Sequence, residues 1–275
     1  MVLFPNCKIN LGLNITRKRE DGYHDLETVF YPVQWQDALE GIKSEIGTDE
    51  LGVNFSNSGL AIDGDAKNNL CVKAYQMLKK DFPGMAAMQI HLHKIIPMGA
   101  GLGGGSSDGA LTLKLLNQIC QLNLSQDQLL HYALQLGSDC PFFILNKPCL
   151  ATGRGEKMEE IALDLSAYRF VIVHPPVHVS TGKAFAGITP KIPEQSISEI
   201  ILQPVNTWKH HLVNNFEPGV SKQFPEISQI KDSLYNKGAL YASMTGSGSA
   251  VYGIFEKKEP IALSFPASYR FFQTN

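Results

Sequence analysis

One stretch of the chain concentrates groups able to hold an anion: Pro97-Met98-Gly99-Ala100-Gly101-Leu102-Gly103-Gly104-Gly105-Ser106-Ser107. Glycines let backbone amides approach a ligand closely and take positive φ. Set between a strand and a helix, such a run aims the free amides of the first helical turn at the anion, with the helix dipole behind them. Ser106 and Ser107 add hydroxyls for a phosphate oxygen or a magnesium ion, so a polyphosphate is the natural ligand. Other motifs share letters with this run. Gly99-x-Gly101-x-x-Gly104 formally matches the dinucleotide fingerprint, but Pro97 interrupts the approach, and His91, His93 and Lys94 mark the preceding strand as half-exposed. Gly105-x-Ser107-x-Gly109 formally matches a nucleophile elbow, yet Leu102-Gly103-Gly104 stands where a buried strand should lead in. No Gly-Lys-Ser/Thr follows the glycines, which excludes a Walker A loop. A glycine turn without a ligand is the bland alternative.

The surrounding pattern supplies the elements such a loop needs. Loose alternation with aromatic and β-branched residues predicts strands over 1–35, and Asp21-Gly22 is a turn signal within them. Short strands are expected over 37–63. From Asn69 the spacing of Leu70, Ala74, Met77 and Leu78 predicts a helix stopped by Pro83-Gly84. Residues 88–96 read as a half-buried strand leading into the loop. A helix is expected from Ser106 to Ile119, capped by Ser106 or Ser107, with Asp108 in its first turn. Another is expected over 126–136, ending at Gly137. A boundary near Gly153-Arg154-Gly155-Glu156 predicts one domain over 1–155 and a second over 156–275. Beyond it, 169–174 and 250–255 read as strands, and 197–215 and 225–238 as helices. Strands and helices mix without strict βαβ alternation, which favours a two-lobed α+β fold over a doubly wound sheet.

Composition removes several function classes. The 275 residues are 44% hydrophobic and 18% charged, with a formal charge of -2, so nothing resembles a basic nucleic-acid footprint or a polybasic membrane segment. The five cysteines are scattered without a C-x-x-C pair, a usage that fits a reducing compartment and suggests neither zinc nor a disulfide framework. The N-terminus does not read as a signal peptide, and no apolar run approaches the ~20 residues of a membrane span. A cytoplasmic protein with a small-molecule substrate is expected, as a monomer or homodimer, without nucleic-acid or membrane partners.

The loop resembles the P-x-x-x-G-L-G-S/G-S-A/S segment of the GHMP kinases. Lys8-Ile9-Asn10-Leu11-x-Leu13 with Arg19-x-Asp21-Gly22-Tyr23-His24-x-Leu26 is similar to the N-terminal signature of one branch of that family. Met244-Thr245-Gly246-Ser247-Gly248-Ser249 resembles its C-terminal glycine loop. The resemblance implies a ribosomal-protein-S5-domain-2-like N-terminal lobe and a ferredoxin-like C-terminal lobe. It also implies transfer of the γ-phosphate of ATP, with Mg2+, to the 2-hydroxyl of 4-diphosphocytidyl-2-C-methylerythritol, a step of the non-mevalonate route to isoprenoid precursors. Another small-molecule kinase of the family, or a catalytically inactive nucleotide-binding relative, are the alternatives.

By that resemblance Asp139 is the general base, and Lys8 keeps it ionised and polarises the reacting groups. Asn10 lies near the same centre. Tyr23 stacks on cytosine, His24 bonds the base edge, Thr181 binds substrate and Phe185 completes the cytosine sandwich. Pro97, Gly99, Gly101, Leu102, Gly103, Gly104, Gly105, Ser106 and Ser107 hold ATP, with Asn69 and Lys94 touching adenosine or phosphate. No metal-ligating carboxylate is identified. Taken without the family, Asp139 reads equally as a turn residue before Pro141, Lys8 as a solvated charge, and Tyr23 and His24 as hairpin-surface packing. The chain departs from the usual family loop at Ala100, Asp108 and Gly109. Ala100 could narrow the loop, and Asp108 must either point away from the phosphates or assist magnesium. The remaining histidines show no ligand pattern.

Overall fold

The structure, a computed structural model, describes residues 1–44, 52–257 and 261–274. Its strands are β1 (Val2–Leu3), β2 (Asn6–Lys18), β3 (His24–Gln36), β4 (Ala38–Lys43), β5 (Val53–Gly59), β6 (Met88–Lys94), β7 (Cys149–Gly153), β8 (Lys157–Glu160), β9 (Tyr168–His174), β10 (Tyr241–Met244), β11 (Val251–Glu256) and β12 (Arg270–Gln273). Its helices are α1 (Leu70–Asp81), α2 (Gly104–Cys120), α3 (Gln126–Leu136), α4 (Cys140–Leu145), α5 (Thr181–Ala186), α6 (Ile197–Ile200), α7 (Glu217–Gln223) and α8 (Glu226–Asn236). This is a mixed α+β chain, and it divides into two compact units. One comprises Met1–Cys7, Gln34–Met98 and Gly103–Asn146; the other comprises Lys8–Val33, Gly99–Leu102 and the chain from Lys147 onward. The glycine loop thus passes from the first unit into the second at Gly99 and returns at Gly103.

In the first unit the sheet runs β1-β4-β6-β5, with β5 parallel to β6 and β4 antiparallel to it. Period-2 alternation puts Met88, Ile90 and Leu92 of β6 inward, while His91 and His93 face the other side. There His91 and His93 bond only the Ser56 and Ser58 hydroxyls of β5 among the bonds described for their rings. Against the inner face lies α2, whose Leu113, Leu115 and Leu116 are fully buried. Burying each such leucine stabilises the unit by ~1.5–3 kcal/mol. Asn69 starts α1 by accepting the Cys71 amide at 2.9 Å, and a Ser125–Gln128 capping box starts α3.

In the second unit the antiparallel sheet β10-β11-β9-β12 carries α8. Ile227, Ile230 and Leu234 of α8 pack with Val171, Val173, Val251 and Phe255. The remaining sheet runs β2-β3-β7-β8. Residues 6–15 of β2 are buried without alternation, as in a strand covered on both faces.

Two expected elements are corrected. The helix after the loop begins at Gly104, not Ser106, and its cap is Gly103 with φ of 70° rather than a serine. A left-handed glycine there turns the chain early enough for one more half-turn. The expected helix over 197–215 breaks into α6 and a 3-10 turn, Val205–His210. Pro204 lies between them and can donate no amide to continue the first helix. Part of the strand region expected over 37–63, residues 45–51, lies outside the described residues. No helix among the described residues is long and apolar enough to cross a membrane.

Candidate active site

Within the second unit, Gly99–Leu102 is built against the segment 245–250. The Gly101 carbonyl accepts from Lys8 Nζ at 3.0 Å, and the Thr245 hydroxyl stands 3.1 Å from it. The Lys8 amide donates to the Leu102 carbonyl at 2.9 Å, and the Ala250 amide donates to the Ala100 carbonyl at 3.1 Å. A Cβ at Gly101 would lie 2.1 Å from the Thr245 carbonyl oxygen, so only glycine permits this approach. Ala100 is 1% exposed. Its methyl is buried rather than presented to solvent at the loop.

Lys8 and Asn10 are placed by β2. Lys8 Nζ also donates to Asn10 Oδ1 at 2.7 Å and lies 5.0 Å from the centre of the Phe30 ring. Asn10 is held at several atoms. Its amide donates to Thr245 Oγ1 at 3.0 Å, its Nδ2 donates to Thr28 Oγ1 at 3.0 Å, and its carbonyl accepts from the Tyr252 hydroxyl at 2.8 Å. The buried Asn214 side chain donates to the Met244 and Gly246 carbonyls at 2.8 and 2.9 Å, fixing the second glycine segment. Thr28, Asn214 and Tyr252 were not singled out from the sequence. They carry no local motif, and only the long-range pairing gives them a role.

Tyr23 and His24 lie at the β2–β3 turn. Asp21 Oδ1 accepts the Tyr23 amide at 3.1 Å, and Arg19 pairs with Asp21 at 2.9 Å. The Tyr23 ring is 55% exposed and carries the Arg154 guanidinium at 4.9 Å. His24 stacks on Phe185 at 4.9 Å, and Phe185 meets Phe216 edge-on at 4.8 Å. Thr181 Oγ1 is 3.0 Å from Ser247 Oγ, tying the start of α5 to the second glycine segment. Behind α5, a cavity of about 790 Å³ is lined by Ser180, Lys183, Ala184, Phe216, Val220 and Phe224 among others.

In the first unit, Gly104 and Gly105 open α2. A Cβ at Gly104 would lie 2.9 Å from Lys94 Nζ and from Ile96 Cγ2, whereas one at Gly105 meets only the mobile tip of Met98, at 3.3 Å. Ser106 is half-buried, but Ser107 is sealed inside with no partner for its hydroxyl. Ser107 therefore offers no hydroxyl to solvent in this arrangement, whereas Ser106 is half-buried beside the Cys140 thiol. Asp139 precedes α4 as its cap residue and is half-buried; α4 has Pro141 in its first turn. The neighbouring Cys140 thiol bonds Ser106 and is pushed up to about 12, chiefly by burial.

Lys94 does not stand where a nucleotide contact would. Its ammonium has no exposure and is bound by the carboxylates of Asp37 and, at 2.8 Å, Asp108. Burial works against the ammonium, but the two carboxylates outweigh it and raise its pKa. Burial raises the Asp108 carboxyl above the usual carboxylate range, with Lys94 opposing. Asp108 thus points away from the loop surface, one of the two orientations expected for it. Asn69 is occupied in capping α1.

Comparison with known proteins bears on the whole chain. The model of the GHMP kinases N terminal domain matches residues 69–147, and that of the GHMP kinases C terminal domain matches residues 201–269. A 4-diphosphocytidyl-2-C-methyl-D-erythritol kinase of Bacteroides thetaiotaomicron is 55% identical over 93% of this chain and 92% of its own. One of Cytophaga hutchinsonii is 45% identical over 94% and 93%. A crystal structure of 4-(cytidine 5'-diphospho)-2C-methyl-D-erythritol kinase superposes with a TM-score of 0.79 at 30% identity, covering 92% of this chain and 90% of that one. Methanococcus jannaschii mevalonate kinase shares the fold, with a TM-score of 0.70 at 15% identity. The chain belongs to the GHMP kinase family, among its 4-diphosphocytidyl-2-C-methyl-D-erythritol kinases.

Proposed function

We propose that the chain transfers the γ-phosphate of ATP to the 2-hydroxyl of 4-diphosphocytidyl-2-C-methyl-D-erythritol, in the cytoplasm and within the non-mevalonate route. The observation that carries this reading is the Lys8 ammonium seated on the Gly101 carbonyl, which sets a cation at the loop that receives the phosphates. The amides of Gly104 and Gly105, at the N-terminus of α2, suit the β- and γ-phosphates. Magnesium, when bound, neutralises charge developing on the transferring phosphate. The hydroxyl of the half-buried Ser106 is a hard oxygen that would suit it. Asp139 takes the proton of the 2-hydroxyl, whose oxygen then bonds the γ-phosphorus as the bond to ADP breaks. Lys8, steadied by Asn10, stabilises the charge on the transferring group. Tyr23, His24, Phe185 and Thr181 hold the cytidine-bearing acceptor. In this reading 1–155 contributes the nucleotide-binding part and 156–275 the second lobe.

Phosphorus NMR of a mixture of protein, ATP, magnesium and this acceptor tests the reading. A new phosphomonoester on the acceptor, matched by ADP, is expected; ATP hydrolysis with unchanged acceptor would refute it. Asp139→Asn should lower kcat by about 10²–10⁴-fold, the usual contribution of a general base, with ATP affinity nearly unchanged. Undiminished turnover would remove Asp139 from that role.

A further inference from the structure

The buried charges beneath the glycine loop have a geometry that neither a nucleotide contact nor stability accounts for. Asp37 Oδ1 accepts the amides of Ile95 and Ile96 at 2.5 and 2.8 Å, and its Oδ2 binds Lys94. Asp37 therefore grips the residues by which the chain leaves β6 for Pro97 and the loop. Asp108, in the second turn of α2 rather than the first as expected, grips the same ammonium from the side where the loop ends. Lys94 Nζ lies so close beneath Gly104 that a methyl group there would touch it. A single ammonium thus joins the entry and the exit of the loop at one point. Two carboxylates share one cation, and Asp108 Oδ1 is left buried without a partner. Well-packed apolar side chains would hold these elements with less desolvation cost, but they would not fix the spacing to a hydrogen-bond length.

We propose that Lys94, Asp37 and Asp108 are positioning residues for the nucleotide, an ion-pair staple that sets the distance between the strand end entering the phosphate loop and the helix leaving it. The inference rests on the ATP-binding reading above. It makes the staple a device for pre-organisation: the amides of Gly104 and Gly105 are aimed before ATP arrives, so less ordering is charged against binding. The acceptor, held by other residues, is indifferent to it.

The test uses the intact protein and a non-hydrolysable ATP analogue with magnesium, followed by steady-state kinetics. Asp108→Leu takes one of its two carboxylates from the buried Lys94 and should lower thermal stability, yet in the folded protein it should raise the analogue Kd and the ATP KM about tenfold while leaving the acceptor KM within twofold. Asp108→Asn keeps an oxygen for Lys94 and should restore ATP KM to within twofold of the wild type. Unchanged analogue binding by the leucine variant would overturn the staple. So would equal rises in both KM values, or an asparagine variant as impaired as the leucine one. A wild-type protein that fails to bind the analogue would overturn the nucleotide reading, and the staple with it; normal wild-type binding with a normal leucine variant overturns the staple alone.

Discussion

Gly101 and Gly105, towards the two ends of the glycine loop, are glycines for different reasons. In the second unit, Gly101 is required by the protein itself, because the Thr245 carbonyl occupies the space a side chain would need. In the first unit, Gly105 faces only the flexible end of Met98 and has ordinary helical surroundings. Packing explains the first and leaves the second to a ligand. A phosphate that must reach the amides of the first helical turn is what a bare Cα at position 105 would serve. Gly101, like Gly104 with Lys94 and Ile96 beneath it, is thus required by packing, whereas Gly105 is the glycine that packing does not require.

Substitutions at these positions should separate the two roles. Gly101→Ala carries the largest expected effect, since it meets backbone at 2.1 Å in a φ +77° conformation. Destabilisation on the order of 3 kcal/mol or more, the range of buried steric and backbone-strain defects, should appear in denaturant unfolding, with activity lost alongside. An unperturbed midpoint would dissolve the distinction between the two glycines. Gly105→Ala should spare stability, changing it by less than about 1 kcal/mol and even favourably for a helical glycine. It should nevertheless raise ATP KM several-fold. A loss of stability without a change in ATP KM would reverse the assignment.

The smallest effect concerns the unit that carries Gly101. His174, on β9, is held down to about 4 by burial and then by the neighbouring Arg270. Its folded pKa lies below the unfolded value, so the unfolded chain binds more protons between the two and acid favours unfolding. Stability from this site is full above about 6.5 and declines as pH falls towards 4. His174→Gln should flatten the thermal midpoint of the protein across that window, and an unchanged pH slope would remove His174 as its source.

How much of this was legible in the sequence depends on the range of the interaction. The glycine run between β6 and α2 is legible, because its glycines and serines are contiguous and lie between a strand and a helix. So are α1 and α3, whose apolar spacing and cap residues are local. The start of α2 was misplaced because serine is the usual cap, while a left-handed Gly103 performs that task here. Only the family resemblance offers Lys94 as a nucleotide contact; the carboxylates that bury it come from positions 37 and 108, and nothing in a linear chain announces that they converge. Asn214 supports a segment some thirty residues away and has the same invisibility. Asp139 was separable from an ordinary turn residue only through family resemblance.

The central claim is the chemistry, and ADP release measured with a panel of acceptors tests it most directly. With ATP and magnesium, turnover on 4-diphosphocytidyl-2-C-methyl-D-erythritol is predicted, and none on mevalonate or homoserine. Well-folded protein that releases ADP with mevalonate or homoserine but not with the cytidylyl acceptor would contradict the account.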